Sequence, residues 1–205
     1  MLLAEGARGD AAPPRQSVAQ PDRGPGARPA AAVGNASRGE LKALTQSQAW
    51  AEEVLARHNV YRCMHGAPPL AWSQEIEAHA KQWAAMGRGQ RSPPHKLRNV
   101  GPFAVVGENV ANSVTDGGGS GSPGGQVQQW YDQITGTENG LGKVSEYSYH
   151  TAKYTQLVWK GTATVGCALY NNFLVCQYGP AGNSAGEFVQ QVGERVKAQQ
   201  DCMSQ

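Results

Sequence analysis

The chain has 205 residues, long enough for one packed domain with a tail but tight for two full domains. Its formal charge is +2, from 18 basic and 16 acidic residues; residues 1–44 hold 6 basic and 4 acidic, leaving 12 of each beyond, so the folded part is nearly neutral. Neutrality argues against a nucleic-acid surface, which needs clustered uncompensated cations, and the absence of any run of about 18 apolar residues leaves no transmembrane helix to draw.

Residues 1–44 are rich in Ala, Pro, Gly and Arg and carry few large apolar side chains, so a disordered tail is expected there, with the packed domain over 45–205. Within the tail, Asn35-Ala36-Ser37 is an N-glycosylation sequon, meaningful only in a secreted chain. Thr45 and Gln48 form a capping box, and Trp50, Val54, Leu55, His58 and Tyr61 follow at helical spacing until Gly66 stops the run. Pro68-Pro69 breaks the chain. Ser73 then caps a second helix with Ile76, Ala80, Trp83 and Ala84 on its inner face, ending near Gly87.

Residues 89–106 read as a loop, and Arg88, Arg91, Lys96 and Arg98 read as its solvated basic patch. Asp116–Gly125 is mostly glycine and serine, a flexible excursion. Its Gly119, Gly121 and Gly124 match a dinucleotide fingerprint by composition alone, with no preceding strand and with Pro123 interrupting it. Val127, Trp130, Tyr131 and Ile134 suggest a short third helix, whereas Tyr154–Trp159 could be a strand by pattern.

From Thr164 the residues alternate through Val165, Cys167 and Leu169, and after Asn171-Asn172 a second β-rich run covers Phe173–Tyr178. Two asparagines tolerate the positive φ of a type I′ turn, and a two-residue loop pairs Tyr170 with Phe173 and brings Cys167 opposite Cys176. That pair falls on a non-hydrogen-bonded position, where a Cα separation of about 4.5 Å suits a disulfide. A disulfide implies an oxidising compartment, so an extracellular location is expected. The start, MLLAEGARGD, offers only two consecutive strong hydrophobes, so a truncated or misassigned start, or unconventional export, goes with that expectation. Cys63 and Cys202 remain; the first helix could present Cys63 to a returning C-terminal tail, and the sequence leaves their pairing open.

Several ordered segments, HNVYRCMHGAPPLAW, GENVA, QWYDQI, YTQLVW with VGCA, and LVCQYGPAGN, resemble the signatures of the CAP superfamily of cysteine-rich secretory, antigen five and pathogenesis-related proteins. The resemblance runs from about Trp50 to Val192. It implies an α+β fold, a three-layer α-β-α sandwich around a small antiparallel sheet, with Tyr154–Trp159 as a fourth short helix packed on the hairpin.

Family members with the full motif hold two histidines and two glutamates in a central cleft able to bind a divalent metal. On that pattern Glu108 matches the glutamate of the GEN motif and His95 the upstream histidine, while Gln133 and Lys153 stand where the second glutamate and second histidine belong. Gln133 is a weak ligand, and Lys153 at about 5 Å would repel a dication by roughly 6 kcal/mol at an effective dielectric near 20. The family's zinc site is therefore expected to be weak or lost, with no other cofactor implied, and Lys153 is expected to pair with Glu108 in the metal's place. His150, three residues before Lys153, reads as a surface residue, and His58, Asn59 and Arg62 as packing residues of the first helix.

The resemblance implies a non-enzymatic secreted protein that binds a sterol, a fatty acid or a partner protein, the Asn112–Gly125 loop being the place for a gate. A hydrolase using the cleft is the alternative. It finds no nucleophile elbow, His-Glu-x-x-His helix or catalytic cysteine motif in the sequence.

Overall fold

A computed structural model describes residues 37–115 and 119–203. Helix α1, Arg38–Met64, begins well before the expected cap at Thr45, so the boundary between tail and domain moves toward the N-terminus. Propensity carries the helix through a stretch with no apolar stripe to announce it. The rest of the expected tail, with the sequon at Asn35, lies outside the described residues. Strand β1, Ala71–Trp72, and helix α2, Gln74–Ala85, follow the Pro68-Pro69 break, and the Ser73 hydroxyl accepts from Ile76 N as its cap. All four residues expected on the inner face of α2 are buried.

The segment expected to be a loop folds instead as a 3-10 turn, Pro94–Leu97, and a small hairpin of β2, Arg98–Val100, and β3, Phe103–Val105. Gly101, at a φ of 54°, turns the chain between these strands, and Asn99 inside β2 also has a positive φ, 55°. Strand β4, Gly107–Ala111, carries the GEN segment.

The glycine-serine run is also more ordered than expected where it is described. Gly119–Gly121 forms a 3-10 turn, and helix α3, Pro123–Tyr131, starts with Ser122 as its cap and Pro123 in its first turn. A 3-10 extension, Asp132–Gly136, continues it. Helix α4 covers Ala152–Val158, as the resemblance implied and against the strand pattern. The hairpin of β5, Thr164–Tyr170, and β6, Phe173–Gly179, has the expected register, with Tyr170 opposite Phe173 and Cys167 opposite Cys176. Asn171 and Asn172 turn it at φ of 43° and 65°. A short helix, α5, Phe188–Gln191, precedes the C-terminal segment.

The main sheet has the order β1-β5-β6-β4 and is antiparallel except at its edge, where the two-residue β1 pairs parallel with β5. Period-two alternation sorts its residues to two faces. Val165, Cys167, Leu174, Cys176 and Tyr178 pack with Val54, Tyr61, Trp130, Tyr154 and Leu157 of α1, α3 and α4. Ala168, Phe173 and Val175 pack with Ala80, Trp83 and Ala84 of α2 on the other face. These are the three layers of an α-β-α sandwich.

Both disulfides form. Cys167–Cys176 crosses the hairpin at a Cα separation of 4.1 Å, and Cys63–Cys202 ties the end of α1 to a terminal 3-10 turn, Gln200–Cys202, closing a span of 139 residues. No helix among the described residues is long and apolar enough to cross a membrane.

Helix α2 sits so close to β5 that a Cβ on Gly166 would lie 2.3 Å from Glu77 N and 2.7 Å from Ser73 O. Backbone atoms cannot swing aside. Gly166→Ala is expected to lose about 2–3 kcal/mol of stability in urea unfolding, and an unchanged midpoint would mean that α2 is not held against this strand.

Candidate functional site

Between β4, α3 and the start of α4 lies a cleft of about 740 Å³ whose wall includes Glu108, Gln133 and Lys153, three of the four expected site residues. His95 is not among its lining residues; it is exposed on the 3-10 turn at Pro94–Leu97. His150 is exposed as well.

Pairing of β4 with β6 sets Glu108 directly opposite Gln177, so both side chains leave the same face of the sheet. Glu108 is 4% exposed, and its carboxylate accepts from Ser92 N (2.6 Å), Ser92 Oγ (2.5 Å) and Gln177 Nε2 (3.0 Å). With its amide group committed to Glu108, Gln177 uses its oxygen to accept from His79 Nδ1 at 2.7 Å. Three donors thus satisfy the charge of Glu108 within the protein.

The expected ion pair between Lys153 and Glu108 does not form. Lys153 Nζ donates instead to Val110 O at 3.0 Å, and the salt bridges among the described residues are Glu53–Arg57 and Glu77–Lys81. The sequence could not foresee this, because the donors that occupy Glu108 come from Ser92 and Gln177, each remote along the chain. Lys153 is anchored at its backbone too. Gln133 Oε1 accepts from Lys153 N (3.0 Å) and Tyr154 N (3.4 Å), and Asn109 Nδ2 donates to Lys153 O (3.0 Å). Burial lowers the pKa of the lysine, and the nearby Arg91 cation lowers it further.

A Cβ at Gly107 would come within 2.7 Å of the Gln156 amide carbon, so a larger residue there would push the Gln156 side chain out of its place. Gln156 Oε1 in turn accepts from Gly182 N at 3.0 Å, while Asn183 receives Thr155 Oγ1 (2.6 Å) and donates to Ala152 O (2.8 Å). The GEN and GPAGN segments therefore both meet α4 at Gln156.

A second chain of contacts supports the floor. His58 Nδ1 bonds to Val54 O (2.7 Å) and must donate, so Nε2 accepts from the Tyr178 hydroxyl (2.8 Å), which also receives Asn109 Nδ2 at 3.3 Å. Arg62, fully buried, donates to the carbonyls of Pro68 (2.6 Å), Leu157 (3.0 Å), Trp159 (2.8 Å) and Thr162 (2.8 Å). Burial brings the Arg62 pKa down to about 10 and that of His58 to about 4.

Arg91 is exposed, as its place in a solvated patch implied, and it also lines the cleft; the sequence reading assigned no site role to Ser92 or Gln177. A glutamine inside the apolar run LVCQY was the available signal for Gln177, since a buried amide demands polar partners.

The sequence pattern of the cysteine-rich secretory protein family, CAP, matches residues 55–178, and the chain belongs to this family. It is 35% identical over 144 residues to Repressed by EFG1 protein 1 of Candida albicans, a match covering 67% of this chain and 48% of that protein. Secreted protein RBT4 of the same organism is 32% identical over 67% of this chain and 36% of its own length, so the chain spans half or less of these fungal relatives. Venom allergen 5 of Vespa mandarinia is 28% identical, covering 75% of this chain and 85% of the allergen. A solved structure described as NaASP2 with Zn2+ superposes with a TM-score of 0.55 at 25% identity, covering 71% of this chain and 87% of that one.

The buried, neutral His58 predicts an acid-sensitive fold. Unfolded chains bind a proton near pH 6.5, whereas folded His58 resists it until about pH 4, so stability falls as pH drops through that window. His65, also lowered by burial, acts in the same sense. Urea unfolding at pH 7 and pH 4 should differ by about 3 kcal/mol from His58 alone, and a flat profile would contradict the buried neutral ring.

Proposed function

We propose that this chain is an extracellular, non-enzymatic binding protein whose central cleft carries a fixed lysine where a metal-binding relative would carry a ligand. The observation that supports it is the anchoring of Lys153, held at N by Gln133, at O by Asn109 and at Nζ by Val110 O. NaASP2, which shares the fold, is described with Zn2+. The donor set here does not fit that metal: the Glu108 oxygens accept three hydrogen bonds, Gln133 Oε1 accepts two, and no three His, Cys, Asp or Glu side chains converge among the described residues. Two disulfides suit an oxidising, extracellular setting.

The hydrolytic alternative has little to work with. Glu108 is the one carboxylate among the described residues lining the cleft, and its lone pairs face Ser92 and Gln177 rather than a substrate. A Lys153→His, Gln133→Glu double variant should acquire saturable zinc binding by calorimetry, with the natural chain showing none. Zinc binding by the natural chain would overturn the proposal.

A separate groove favours a second, lipid-binding reading. Between α1 and α2 lies a depression of about 540 Å³ whose wall joins the apolar Ala51, Leu55, Trp72 and Ala78 to the polar Gln48, Glu52, Gln74, Glu77 and Lys81. An amphiphilic lipid gains from the apolar part of such a wall while its head group meets the polar part. Leu55→Glu should abolish binding of a fluorescent sterol or fatty acid, and absence of binding by the natural chain would remove this reading.

A further inference from the structure

The cleft is lined by two cations, Arg91 and Lys153, and by one carboxylate, Glu108, already surrounded by three donors. Neither cation has a carboxylate partner among the described ion pairs, which are Glu53–Arg57 and Glu77–Lys81. Two like charges near one another in a half-buried cleft repel, and a ligand anion between them would relieve that repulsion and gain charge-assisted hydrogen bonds. Lys153 has three ammonium donors and gives one to Val110 O. Arg91 is exposed and offers a guanidinium fork.

The same cleft also holds acceptors. Gln126 and Gln129 on α3 both give an amide N–H to Ser120 O, at 3.0 and 2.9 Å, which fixes their side chains and leaves the amide oxygens as acceptors for hydroxyl groups. Tyr147 and Tyr149, 52% and 75% exposed, belong to the same cleft and offer flat faces on which a sugar ring can lie. Donors for an anion, acceptors for hydroxyls and an aromatic rim are thus combined in one opening.

We propose that this cleft binds a small hydroxylated anion, a sugar acid or a sugar phosphate, with its charged group between Lys153 and Arg91 and its hydroxyls toward Gln126 and Gln129. The proposal rests on the metal-free reading of the cleft given above, because a bound dication would compete with Lys153 for the same space. It differs from the lipid reading in both place and polarity: that groove lies between α1 and α2.

Titration of the isotopically labelled protein at low ionic strength, followed by NMR, tests it with four probes: glucuronate, glucose 6-phosphate, glucose and inorganic phosphate. Saturable shifts at cleft residues are expected with glucuronate or glucose 6-phosphate, and the tighter of the two identifies the anionic group. Glucose, which has the ring without the charge, and phosphate, which has the charge without the ring, should each bind at least about tenfold more weakly. Lys153→Met should weaken the preferred ligand by about tenfold or more, and so should Arg91→Ala, an exposed position whose loss leaves the fold intact. Equal affinity for glucose, or anion affinity unchanged in Arg91→Ala, would overturn the proposal. Absence of binding by all four probes would overturn it too, while leaving the metal-free reading to stand or fall on the zinc isotherm.

Discussion

The placement of the cleft depends on a buried cation. Arg62, on α1, spreads its guanidinium over the carbonyls of Pro68, Leu157, Trp159 and Thr162, so it joins the loop after α1, the end of α4 and the turn entering β5. A buried charge is tolerable only when its donors are met, and here four backbone dipoles meet them. Because the last turn of α4 is fixed in this way, its first turn, with Lys153, is fixed as well. Asn183 and Gln133 then hold that first turn from the other end.

Around this frame the polar interior works by pairing amides with backbone groups and with other polar side chains. Gln133, Gln156, Gln177, Asn109 and Asn183 each bridge elements that no local sequence rule connects. An amide carries both a donor and an acceptor without charge, so it can satisfy buried backbone groups without the desolvation cost of an ion. In this chain hydrogen-bonded amides and a lysine on Val110 O brace the walls of the cleft.

What the sequence disclosed follows from how local each signal is. The β5–β6 hairpin was legible because its turn residues, its alternation and its cysteine spacing all act within one short window and agree. Helix α2 was legible for the same reason, with a Ser73 cap and a clean apolar stripe. The β2–β3 hairpin was hidden because strands of three residues are too short to show alternation, and its turn relies on Gly101 at positive φ. Ser122, as a helix cap inside a glycine-serine run, was masked by the composition around it. Helix α4 was ambiguous by pattern, since almost every residue of Ala152–Val158 is buried and no polar face marks the period. The motif match singled out Glu108, Gln133 and Lys153, which line one cleft, but not the partners of Glu108. Ser92 and Gln177 reach it only through the β4–β6 register and the loop after α2, which are tertiary facts.

The central claim is that a protein cation, and not a metal, governs this cleft. Its most direct test is a crystal of the natural chain soaked in zinc, with anomalous scattering collected at the zinc edge. The account predicts no anomalous peak beside Glu108, with Lys153 Nζ still on Val110 O and the Glu108 carboxylate still on Ser92 and Gln177. A peak coordinated by Glu108, with Lys153 displaced from the cleft, would contradict it.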